Sequence, residues 1–132
     1  MAFLGKNAAV SISTPSVTMS AKVWTSLGFS VIEQKSNEVF LSDGQLLLNI
    51  VEQEFFSPAM CYYGTSSLHT NRESVVGPDG EILFIRKPEP ENARLSLTGE
   101  KNSILGFFDA VAVGSPNHRT AREWSETLGF FV

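Results

Sequence analysis

A single cysteine, Cys61, stands in this chain of 132 residues. No intrachain disulfide can form, and such usage points to a reducing compartment. Only two histidines are present, His69 and His118. No apolar run reaches the ~18–20 residues needed to cross a bilayer. Residues 1–6 have neither the length nor the basic start of a signal peptide. Lys and Arg total 10 against 14 Asp and Glu, and they are scattered, so nothing points to nucleic acid. A Gly-rich phosphate loop is also missing. These absences lead us to expect a cytoplasmic protein with no nucleic-acid partner, no membrane partner and no cofactor.

Phenylalanine is plentiful, with 10 residues. Some of these rings are expected at a cavity or an interface as well as in the core. The length suits one domain of the usual ~100–200 residues.

The same short pattern occurs twice, 101 positions apart. Ala9-Val10, Pro15, Leu27-Gly28-Phe29 and Val31 recur as Ala110-Val111, Pro116, Leu128-Gly129-Phe130 and Val132. Each copy reads as a strand, a Pro-bearing turn, a helix, and then Leu-Gly-Phe entering another strand.

Residues 8–14 alternate as a strand, with Val10 and Ile12 facing the core and Ala9, Ser11 and Ser13 facing the other way. Ser16 suits a helix N-cap, and Gly28 ends the helix. Val17, Val23, Trp24 and Leu27 are its expected buried stripe. Strands are expected at 29–34, 38–41 and 45–53, with a tight turn at Ser42-Asp43-Gly44. A strand at 60–64 and a polar stretch to about 74 come next. Gly77-Pro78-Asp79-Gly80 is a turn leading into a strand at 81–86. Residues 87–103 read as a long loop. The second copy is expected as a strand at 107–114, an N-cap at Asn117 and a helix at 120–128. Trp24 and Trp124 are expected to pack helix on sheet.

The order strand, helix, Leu-Gly-Phe and three strands, together with Gly77-Pro78-Asp79-Gly80 before Glu81-Ile82-Leu83-Phe84, resembles the vicinal oxygen chelate superfamily. That group includes glyoxalase I, extradiol dioxygenases and bleomycin-resistance proteins. The resemblance implies an α+β fold of paired βαβββ modules with mixed curved sheets. One domain would span 1–132, with a first module at about 8–53 and a second from about 60–86 plus 107–132. Here the hairpin precedes the second strand-helix-strand unit, so the second module is either permuted or completed by a partner chain. Both readings imply a homodimer, because an open sheet edge invites pairing.

Metal-dependent members of that superfamily hold a cation with His, Gln or Glu on the first strand of each module and Glu on a late strand. The matching positions here are Ala9, Ala110, Asn49 and Phe84. A shift of one residue brings in Ala8 and Asp109. At best one carboxylate and one amide remain, too few for a stable site, so no metal is expected. Asp109 reads more simply as a strand-end carboxylate in solvent. Cys61, in an apolar strand, reads as a buried thiol and not a nucleophile. Glu33, Glu38, Glu52 and Glu54 read as solvated strand faces.

Small residues on the repeated strands would leave room for a cleft. Ser11, Ser13, Leu47, Asn49, Phe55, Tyr62, Phe84 and Ala112 are its expected lining, suited to a small apolar or aromatic ligand. The alternative for each aromatic is core packing or a dimer seam. The sequence therefore points first to a metal-free binding protein similar to the bleomycin-resistance branch. A metal-dependent lyase or dioxygenase of the same superfamily and a non-catalytic interaction module are the competing readings.

Overall fold

The computed structural model describes residues 7–55, 57–63, 74–86, 97–98, 104–105, 110–112 and 115–128. Among the described residues, seven strands form one open, curved mixed sheet, and two helices accompany it in an α+β fold. The strands are β1 (Asn7–Ser13), β2 (Ser30–Gln34), β3 (Glu38–Ser42), β4 (Leu47–Val51), β5 (Ala59–Tyr63), β6 (Ser74–Val76) and β7 (Ile82–Arg86). The helices are α1 (Val17–Ser26) and α2 (His118–Thr127). Among the described residues, no helix is long and apolar enough to cross a membrane.

The sheet order is β2-β3-β4-β1-β5-β7-β6. β1 runs parallel to β4, and β5 runs parallel to β7. β1 and β5 meet antiparallel at the centre, with Ala9 opposite Cys61. Each half therefore repeats one arrangement outward from the seam: a first strand, a parallel strand, then an antiparallel one.

The two helices match as closely as the sequence repeat suggests. Both are ten residues long, and their first residues, 17 and 118, are 101 positions apart. The Ser16 hydroxyl accepts from Met19 N–H, and the Asn117 amide oxygen accepts from Thr120 N–H, so each satisfies an otherwise unpaired donor of the first turn. Each helix ends on a leucine, Leu27 or Leu128. Gly28 follows Leu27 with φ of 104°, a conformation that favours glycine.

Both helices lie on one face of the sheet. Val17, Ala21, Trp24 and Leu27 pack on Val10, Val39, Leu41, Leu48 and Ile50. Trp124 and Leu128 pack on Met60, Tyr62, Leu83 and Ile85. The expected role of both tryptophans holds, and Trp24 also meets Phe29 edge to face at 5.2 Å. Val23 does not join the stripe. It is 58% exposed, because the buried row steps 17, 21, 24 and leaves 23 pointing outward.

The opposite face is also buried. Ala9, Phe40, Leu47, Ala59, Cys61, Tyr63 and Phe84 form its core, with Ile32, Phe55 and Ile82 against them. As a central strand, β1 thus has apolar neighbours on both faces. Of the strand expected at 107–114, residues 110–112 are described and lie in no strand. Val111 instead packs among the helix-face residues. Asp109, His69 and nearly all of 87–103 lie outside the described residues.

Candidate functional site

The face opposite the two described helices carries the chemistry, and the β3–β4 hairpin sets it up. Asp43 Oδ1 accepts from the N–H groups of Gln45 and Leu46, and Gly44 has φ of 98°, which together close the turn. That turn pairs Phe40 with Asn49. On the other side of β4, parallel pairing places Asn49 beside Ser11. Directly paired residues share a face, so three adjacent strands present Phe40, Asn49 and Ser11 together.

Asn49 and Ser11 are fully buried. Ser11 Oγ donates to Asn49 Oδ1 at 3.3 Å. Asn49 Nδ2 donates to Glu38 Oε1 at 2.6 Å. Glu38 is only half-buried, so the row runs from the sheet centre toward solvent. On β2 the pairing shifts between Val31 and Glu33, a bulge that sets Glu33 opposite Phe40. One oxygen of Glu33, Oε2, is buried with no hydrogen-bond partner among the described residues. Buried acceptors are usually paired, so this oxygen is a place for an incoming donor.

Aromatic rings share this face of the sheet. Phe55 and Phe84 meet edge to face, with centroids 5.0 Å apart and planes at 80°. Leu47 and Phe40 belong to the same cluster.

Five of the expected lining residues, Ser11, Leu47, Asn49, Phe55 and Phe84, come together on this face. Ser13 lies at the strand end, where its hydroxyl donates to the Gln53 carbonyl oxygen at 2.6 Å and its N–H donates to Ser57 Oγ at 3.1 Å. It ties down the β4–β5 loop and is not part of the floor. Tyr62 is not in the site. Cys61 and Tyr63 take the site face, and strand alternation sends Tyr62 to the helix face beside Trp124. Burial there raises its hydroxyl pKa above the ordinary value. Ala112 is exposed and lies in no strand, so it does not join the others. Cys61 is fully buried, as expected.

Sequence reasoning missed Glu38 and Glu33. The signal was available for Glu38, since the Ser42-Asp43-Gly44 turn implies the hairpin pairing that sets Phe40 beside Asn49. Glu38 then follows two residues along the same face. Glu52, also read as solvated, accepts from the Val17 N–H at 2.9 Å and serves the start of α1.

Among the described residues no three of His, Cys, Asp and Glu gather into a group. Two of the matching positions are Ala9 and Phe84, which carry no donor, and Asn49 is committed to Ser11 and Glu38. Comparison with family models, curated proteins and solved structures found no match.

Proposed function

We propose that this protein binds a small amphipathic aromatic molecule without a metal, in the manner of the bleomycin-resistance branch of the vicinal oxygen chelate superfamily. The observation that carries the reading is the Ser11–Asn49–Glu38 row set among Phe40, Phe55 and Phe84. A pocket that is apolar with a few placed polar groups suits such a ligand. The ring would stack with the phenylalanines. A hydrogen-bond donor on its polar end would be held by Glu38 and Glu33, whose carboxylate oxygens accept. The protein would act by sequestering or sensing this molecule in a reducing, cytoplasmic setting. A homodimer belongs to the same reading, since β2 and β6 are the terminal strands of the sheet and a strand edge invites pairing. Sedimentation at micromolar concentration tests that part, and a purely monomeric boundary would remove it.

The binding test is calorimetric titration of small phenols and aromatic amines into the wild type and Asn49→Leu. The expected result is saturable binding that also raises the melting temperature, since a ligand of the folded state stabilises it. Affinity should drop about tenfold in the variant, the weight of one well-made hydrogen bond to a charged or buried group. Equal affinity in both proteins would place binding elsewhere. No binding by any member of the panel would remove the reading.

A further inference from the structure

The floor of the site is closed to solvent, with Ser11, Asn49 and Cys61 each at 0% exposure. A ligand can reach them only if something moves. Nine of the ten described residues of this cluster sit on strands, where displacement would break ladder hydrogen bonds. Phe55 does not. It comes from the connection between β4 and β5, where the described residues Gln53, Glu54, Ser57 and Pro58 are exposed and Phe55 turns inward onto Phe84.

Two hydrogen bonds from one residue hold this connection. Ser13 Oγ donates to the Gln53 carbonyl oxygen, and Ser13 N–H donates to Ser57 Oγ. They grip the chain two residues before and two residues after Phe55. Both bonds are solvent-exposed, so water can replace each of them at a modest net cost.

We infer that Phe55 is a removable plug over the floor, that Ser13 is the positioning residue that seats it, and that a single aromatic ring of the ligand takes its place against Phe84. The ligand class rests on the binding reading above; the plug itself does not. The plug sets a size limit, because the vacated space is that of one phenyl ring. Fused-ring molecules would need a second displacement from a paired strand.

Cys61 reports on the plug, since it lies in the cluster that Phe55 covers and is the chain's single thiol. The experiment is alkylation of native protein with iodoacetamide at several low urea concentrations, in the wild type, Ser13→Ala, Phe55→Leu and Phe55→Ala. Opening of the plug exposes little surface, so its rate should barely respond to urea, whereas labelling through global unfolding rises steeply with it. The expected result is a urea-insensitive rate that increases roughly fivefold in Ser13→Ala, the weight of one exposed hydrogen bond, and further in the Phe55 variants. Ser13→Ala keeps the test meaningful should Phe55→Ala fold poorly. Labelling that tracks global stability in every variant would overturn the plug. A urea-insensitive rate unchanged by Ser13→Ala would overturn the role of Ser13. Phenol is then added to Phe55→Leu. Slower labelling supports the one-ring ligand, while unchanged labelling leaves the plug standing and removes the aromatic ligand.

Discussion

Asn49 donates to Glu38 at 2.6 Å, and this bond decides which way round the buried amide sits. An ionised carboxylate can only accept, so Nδ2 must face Glu38 and Oδ1 must face Ser11. The amide thereby links a fully buried hydroxyl to a half-exposed acid.

Asn49→Asp should expose that arrangement through pH. The substitution replaces a donor with a like charge beside Glu38 and costs about 3 kcal/mol at neutral pH, in the range for breaking a buried charged contact. The new carboxylate should hold its proton above the usual range of about 4. Its pKa is then higher folded than unfolded, so the variant is closest to wild type below the unfolded value. It loses ground as pH rises through the folded one. Urea midpoints of both proteins between about pH 4 and pH 7 check this; parallel midpoints would sink it.

Tyr62 supplies a second pH test, at the alkaline end. Burial raises its pKa in the folded state, so its contribution to stability is intact below about pH 10, the unfolded value. That contribution fades as pH climbs through the folded value. Tyr62→Phe should flatten this part of the stability profile and leave aromatic binding unchanged, because the side chain lies on the helix face. A loss of binding in that variant would return Tyr62 to the site.

Val17 and Val23 lie on one helix yet should respond differently to truncation. Val17 is 2% exposed under the helix, and Val17→Ala should cost about 2 kcal/mol. Val23→Ala should change stability by less than about 0.5 kcal/mol, as surface substitutions do. Denaturant unfolding of the two variants measures the difference, and equal costs would contradict the packing of α1.

Ser16→Ala should lower stability by about 1 kcal/mol, because it leaves the Met19 N–H without its partner. Ser16→Gly should lose only a few tenths of that, since glycine at this position lets water reach the freed group. Melting curves of the three proteins test the order.

Much of the local structure was legible in the sequence because its causes are local. Ser16 and Asn117 cap their helices through one side-chain oxygen each. Ser42-Asp43-Gly44 makes its turn from its own polar atoms and one glycine. What escaped depended on distant partners. Tyr62 reads as site lining in the sequence but stands on the helix face, because the parity of β5 is set by its pairing with β1, far away along the chain. Ser13 had the correct parity but stands at a strand end, where the returning loop meets it. Glu38 looked like any surface acid until β4 brought Asn49 beside it.

The seam between β1 and β5 has a consequence for the order of folding. The β2–β3, β3–β4 and β6–β7 pairs join neighbouring segments, whereas the seam joins Asn7 to Tyr63 and Ser11 to Ala59. Contacts between distant segments carry the larger loop-closure cost and tend to form late. We therefore expect two partly built halves to precede the complete sheet, each with a bare strand edge where the other will dock. Conservative truncations at Val39 should slow folding, while Ala59→Gly should chiefly hasten unfolding. The seam that unites the two halves would then also be the point where a crowded, half-folded chain is most exposed to pairing with the wrong neighbour.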